Sequence, residues 1–220
     1  MKETMIIISG WAHGPEAVQP MADALTGRYE ISIRTGAEIL HDRFIPEADC
    51  IITGSMGGLL AMELLPASCR KLVLISSTAR FCATPDYPFG TAERILKRMI
   101  LQLQREPEAV LDEFFRNVHY PHRESRQAME ARQAGSQSLG ELVAGLEYLL
   151  QADVRCRVPG IRIPVLLLHG EQDRIIPPGA SRWLHAHLPD STLEIIEDDG
   201  HALPAHHFAG VINRIEAFLD

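Results

Sequence analysis

The chain has 220 residues, 46% of them apolar and 23% charged, and carries a formal net charge of −8. That length suits one domain, or one domain with an insertion, and buries enough surface to need no disulfide or metal staple. The acidic balance argues against a nucleic-acid partner, since phosphate contacts need clustered cations, and no apolar run reaches the length of a membrane span.

Residues 5–8 form a short apolar run, too short for a signal-peptide core and more like a first strand. Gly10-Trp11-Ala12-His13-Gly14 follows, and a helix is predicted to begin near Pro15. Further strands are predicted at 31–33, 49–53, 72–75, 165–169 and 192–196, each followed by a helical stretch. Near-continuous apolar strands alternating with helices predict a mostly parallel sheet covered on both faces. Ligands in such sheets sit at the carboxyl ends of the strands. The loops at 9–14, 170–177 and 198–204 should therefore converge on the turn at Ser55.

Between the fourth and fifth strands the alternation stops. Residues 79–157 read as about four helices broken at Pro85, Pro88, Pro107 and Pro121. This divides the chain into a core of 1–78 and 158–220 and a helical lid insertion of 79–157. The insertion holds 11 Lys/Arg and 11 Asp/Glu, so the core carries the whole negative charge. Arg116, Arg123, Arg126 and Arg132 cluster within it; they read either as a solvated face or as a docking face for an acidic partner. Cys50, Cys69, Cys82 and Cys156 are scattered without a C-x-x-C pair, as free thiols of a reducing compartment would be. A soluble, cytoplasmic monomer is the expectation.

The most informative stretch is Ile51-Ile52-Thr53-Gly54-Ser55-Met56-Gly57-Gly58. An apolar strand enters a serine flanked by small residues, and a helix-forming run follows, which is the layout of a nucleophile elbow. Thr53 occupies the first glycine of the usual G-x-S-x-G, with Gly54, Gly57 and Gly58 as the small residues. A glycine-rich strand-to-helix junction also suits a phosphate, so this motif alone leaves two readings.

A serine nucleophile needs a base, and the base needs a carboxylate to hold its tautomer. Ten histidines compete. His201 stands in a loop between Gly200 and Ala202, just past the last strand. His169 ends a strand and reads equally as a packed residue; His185 and His187 lie on a helix, and His206 and His207 read as solvated. No spacing resembles a zinc motif. Asp173 follows the fifth strand, with Glu171, Asp198 and Asp199 as weaker substitutes and helix capping as its alternative role. Ser55, Asp173 and His201 then fall in a recurring hydrolase order, each at one edge of the sheet. The oxyanion donors should be the backbone N–H groups of Met56 and Trp11; Trp11 also reads as a wall of the acyl pocket or a packing residue.

Together these residues resemble the α/β-hydrolase superfamily, from residue 5 onward, without the extra N-terminal β-hairpin of larger members. Within it the chain is similar to the pimeloyl-acyl-carrier-protein methyl ester esterases of biotin synthesis. Three stretches carry that likeness. Gly10-Trp11 resembles the family's H-G-W-G loop, with Ser9 for the histidine. Thr53-Gly54-Ser55-Met56-Gly57-Gly58 resembles its G-W-S-L-G-G elbow. Gly145-Leu146-Glu147-Tyr148-Leu149-Leu150, with Asp153-Val154-Arg155, resembles the close of its lid. The resemblance implies a serine esterase without cofactor or metal, acting on an acyl chain held by acyl-carrier protein. It implies chain contacts from Phe114, with Leu111 and Phe115 beside it, and carrier contacts from Arg126, with Arg123, Arg132 and Arg116. The rivals are a general short-chain esterase on the same scaffold and a binding protein that has lost catalysis.

Overall fold

The computed structural model describes residues 2–135 and 137–220. In chain order the core elements are β1 (Glu3–Ile8), α1 (Gln19–Leu25), β2 (Tyr29–Arg34), α2 (Gly36–Asp42), β3 (Cys50–Gly54), α3 (Met56–Glu63) and β4 (Lys71–Ile75). Four lid helices follow: α4 (Glu93–Leu103), α5 (Pro107–Val118), α6 (Arg126–Ala134) and α7 (Leu139–Gln151). The core resumes with β5 (Val165–Gly170), α8 (Gly179–His187), β6 (Ser191–Ile196), α9 (Leu203–His206) and α10 (Phe208–Leu219). The helix expected at Pro15 is a single 3-10 turn, and α1 begins only at Gln19.

The strands form one sheet in the order β2-β1-β3-β4-β5-β6, and all five pairings are parallel. Successive side chains of a strand point to opposite faces. Met5, Ile7 and Ile52 accordingly pack with Met21 and Leu25 of α1 and Val211 and Ile215 of α10. Ile6, Ile8 and Ile51 pack on the other face with Leu59 and Leu60 of α3 and Leu184 of α8. The central strands β1, β3, β4 and β5 are buried on both faces, which is why they read as apolar runs, whereas the edge strands β2 and β6 are partly exposed.

The register matters for function. Thr53 pairs with Ile8, Gly54 with Ile75, and Gly170 with Ile196, so the strands end level at one edge. The two ends of the lid meet beside that edge. Val154 N–H donates to Ala79 O at 2.9 Å, and Arg80 Nη1 bonds Asp153 Oδ2 at 2.6 Å. Arg155 ties the same carboxylate to Asp86 and holds Asp153 well below the usual carboxylate range. Among the described residues no helix is long and apolar enough to cross a membrane.

Candidate functional site

Ser55 sits between the end of β3 and the start of α3, with φ 52° and ψ −119°. A non-glycine residue in this region is strained and persists only where its surroundings hold it. Ser55 N–H donates to Ile75 O at 2.9 Å, and Ser55 O accepts from Gly58 N–H and Ser77 Oγ, both at 3.0 Å. A Cβ on Gly58 would lie 2.0 Å from Ser77 Oγ, and one on Gly57 would meet the Ile8 and Ser9 carbonyls at 3.0 Å. These two glycines let α3 approach the sheet so closely. Gly54 differs: a Cβ there would meet nothing within 4 Å, so it is not sterically required. Thr53 fits the first glycine position because it is buried in the strand, with Oγ1 3.4 Å from Val73 O.

Asp173 and His201 come together from the loops after β5 and β6. His201 Nδ1–H donates to Asp173 Oδ2 at 2.7 Å. Asp173 Oδ1 accepts from the Ile175 and Ile176 amides at 2.7 and 2.9 Å, which fixes its plane. His169, wholly buried, also approaches Asp173 Oδ2 through Nε2 at 3.1 Å. The same nitrogen lies 2.8 Å from Ile176 O, and its Nδ1 is 2.7 Å from Ser181 Oγ. Since Ile176 O only accepts, Nε2 of His169 is the protonated nitrogen and supports the carboxylate from behind. Burial pushes the Asp173 pKa up, but the His201 charge and the bonds from His169 and His201 outweigh it and hold the group well below the usual carboxylate range. The capping role considered for Asp173 is real but local, through those two amides.

Ser55 lies where two cavities meet. The first, about 420 Å³, is lined by Ser55, His201, His13, Phe115, Val118 and Ala131, among others. The second, about 710 Å³, is lined by Ser55, Trp11, Phe81, Phe114, Leu146 and Ile175, with the exposed Arg94 and Arg98 of α4 on its rim. Trp11 is buried and serves both readings given to it. Its Nε1–H donates to Leu142 O at 2.8 Å, while its ring meets Phe114 edge-on at 4.7 Å and walls the larger cavity. Gly145 of α7 permits this contact, since a Cβ there would lie 2.4 Å from the indole. Among the described residues the Trp11 amide has no backbone partner in a turn or loop, and Met56 N–H opens α3, where no helical partner exists.

The lid residues divide. Phe114 lines the larger cavity and Phe115 the smaller. Leu111 packs among the lid's apolar side chains and lines neither, because it lies on another side of α5. Arg132 does not face outward as a partner contact. It is tucked inside, over the Phe115 ring at 4.6 Å and paired with Asp112 and Glu124 at 3.1 and 3.3 Å. Arg116 and Arg126 are exposed but paired with Glu113 and Glu130 on their own helices, and Arg123 is exposed in the preceding loop. His206 is half-buried rather than fully solvated: its Nε2 is 2.9 Å from Nδ1 of the buried His119, and its ring packs on His122 at 4.5 Å.

Sequence reasoning missed three groups. His13 shares the smaller cavity with Ser55; its Nδ1–H donates to Trp11 O at 2.8 Å, and desolvation lowers its pKa to about 4. Arg94 and Arg98 rim the larger cavity, and only their spacing of four on one helix pointed to a shared face. His169, by its sequence a competing base or a packed strand-end residue, instead backs Asp173.

A strained serine at a strand-to-helix turn, with a histidine–carboxylate pair beside it at the edge of a parallel sheet, defines a hydrolase class. Residues 9–214 match the Alpha/beta hydrolase family, and the chain belongs to it. Among curated relatives it is 29% identical to the "Pimeloyl-[acyl-carrier protein] methyl ester esterase" of Aromatoleum aromaticum, over 90% of each chain. It is 27% identical to the protein of the same name from Nitrosomonas europaea, over 90% of this chain and 88% of that one. Among solved structures it resembles a bromoperoxidase from Bacillus anthracis, with a TM-score of 0.86 and 19% identity over 100% of this chain and 92% of that one. An esterase from Exiguobacterium antarcticum gives a TM-score of 0.83 at 18% identity, over 99% and 92%. At these identities the structural likeness speaks for the fold alone.

Proposed function

We propose that the chain is a serine carboxylesterase that hydrolyses the methyl ester of a pimeloyl chain held on acyl-carrier protein. The observation that carries the chemistry is the Asp173–His201 pair facing a cavity that also contains the strained Ser55. Asp173 keeps the proton on Nδ1 of His201, which leaves Nε2 to accept the Ser55 proton. Ser55 Oγ bonds to the ester carbon, and the oxyanion is held by the Trp11 and Met56 amides. His201 then returns its proton to the departing alkoxide. Water, activated by the same imidazole, resolves the acyl-enzyme to free acid. Every step uses side chains and amides of this chain.

The substrate rests on two supports. The relatives named above are called esterases of this ester. The larger cavity is apolar along Phe81, Phe114, Leu146 and Leu149, which suits a methylene chain at about 0.8 kcal/mol per buried CH₂. Arg94 and Arg98 at its rim, and the exposed Arg116, Arg123 and Arg126 elsewhere on the lid, suit an acidic carrier. The test is incubation of the purified protein with pimeloyl-carrier methyl ester. The expected products are methanol and the free ω-carboxylate still on the carrier. An intact carrier ester beside rapid turnover of simple esters would favour the general esterase. Failure of Ser55 to react with a fluorophosphonate probe in folded protein would favour the binding scaffold.

A further inference from the structure

β4 lies between β3 and β5 in the sheet, so its end stands between the turn of Ser55 and the loops that carry Asp173 and His201. The first two residues beyond it reach both sides. Ser77 Oγ–H donates to Ser55 O, and Ser76 Oγ–H donates to His201 O, each at 3.0 Å. Ser76 is buried and takes a φ of 48°, in the left-handed region where a side chain is strained. Such strain persists only where the surroundings hold it, and it gathers at functional sites. Here the Ser76 N–H is held by Leu168 O at 2.8 Å, and its hydroxyl by the His201 carbonyl. Glycine would adopt this φ without cost but has no donor to offer. Among the described residues no backbone N–H in a turn or loop bonds to His201 O, so the Ser76 hydroxyl is the partner that satisfies it.

We infer that Ser76 is a positioning residue for the general base: it fixes the main chain from which the His201 ring hangs, and so the place of Nε2. This rests on the esterase reading above and deepens it. Ser76 lines neither cavity at Ser55, so it acts through His201 rather than on the ester. Asp173 holds the imidazole at Nδ1, 2.7 Å away. One bond to the ring leaves it free to swing about that point; a second anchor on the main chain removes the freedom. The neighbouring residues complete the hold. Ala202 N–H donates to Val118 O at 3.1 Å, and Gly200 N–H donates to Asp199 Oδ1 at 2.9 Å. A Cβ on Gly200 would lie 1.8 Å from Tyr120 O, so the loop is pressed against the lid. The Ser76 bond joins His201 itself to the end of β4, the same strand end that Ser77 joins to Ser55. Base and nucleophile are thus referred to one rigid point. Nε2 must accept the Ser55 proton and then return it to the alkoxide, and a misplacement of about 1 Å in such a unit costs on the order of 100-fold.

The experiment compares wild type, Ser76→Ala, His201→Ala and the double variant on the methyl and p-nitrophenyl esters of one medium-chain acid. Ser76→Ala should lower kcat for the methyl ester by roughly tenfold to 100-fold with KM little changed. Methoxide needs the His201 proton to leave, whereas p-nitrophenolate departs as a stable anion. The methyl-to-p-nitrophenyl ratio of kcat/KM should therefore fall by about threefold or more, which a loss of folded protein would not produce. Added to His201→Ala, the Ser76 change should cost less than about twofold, since it acts through that ring. Ser76→Gly takes the positive φ without strain and serves if the alanine variant does not fold. Retention of most methyl-ester activity in the folded variant, an equal loss on both esters, or a full multiplicative loss in the His201→Ala background would overturn the positioning role and leave the esterase intact. A wild type that turns over neither these esters nor the carrier-bound methyl ester would overturn both.

Discussion

His201 Nδ1 lies 2.7 Å from Asp173 Oδ2, and both groups are buried beneath the cavity that contains Ser55. The pair joins loops 28 residues apart in the chain. Asp173→Asn keeps the shape but removes the charge and the tautomer control. It should lower kcat by about 10⁴-fold, as loss of the carboxylate does in such a unit. A fall of less than tenfold in the folded variant would assign the base's partner elsewhere, with Asp199 the next candidate.

Ser55 holds a positive φ that glycine adopts without cost. Ser55→Gly should therefore lose hydrolysis by about 10⁴-fold or more. The same variant should melt about 2–4 °C higher for each kcal/mol of relieved strain. Calorimetry and an ester assay on one preparation test both. A variant that melts lower would mean that the turn is not a reservoir of strain.

The lid cations differ in their surroundings. Arg126 is bound to Glu130 on its own helix, whereas Arg94 and Arg98 border the cavity assigned to the acyl chain. Reversing both as Arg94→Glu with Arg98→Glu should lower kcat/KM for the carrier-bound ester by on the order of tenfold, because steering toward an acidic protein is lost. A small soluble ester should be affected far less. If Arg126→Glu causes the larger carrier-specific loss, the docking face lies on α6 instead.

His119 is buried against His206, and desolvation, followed by the charge of His206, lowers its pKa to about 4. An unfolded histidine titrates near 6.5. Between those values the unfolded chain binds the proton and the folded chain does not, so stability rises with pH across that window and is lost as pH falls toward 4. Tm should drop between about pH 6.5 and 4.5 and change little above it. His119→Gln should flatten that dependence. An unchanged slope in the variant would mean that other groups, His13 among them, govern the acid response.

The sequence alone was enough to read the strands and their parallel pairing, and to single out Asp173 and His201, which the fold brings to 2.7 Å, and Ser55, which lines the same cavity as His201. Those features are local: an unbroken apolar run, a glycine-flanked serine and loop residues at strand ends leave a mark in any short window. The helical lid between β4 and β5 was legible for the same reason, since the strand–helix alternation stops at β4. What was not legible depends on facing directions between elements distant in the chain. Arg132 turned inward because Asp112, Glu124 and the Phe115 ring surround it. Leu111 and Phe114 share a helix but not a cavity. His169 backs Asp173 only because β5 and its loop fold that ring under the carboxylate. The two chambers at Ser55, and the fact that His201 borders one of them alone, arise from packing of the lid over the sheet edge. Residue type and spacing are written in the chain, but a cavity is the space left between side chains, and only the folded arrangement defines it.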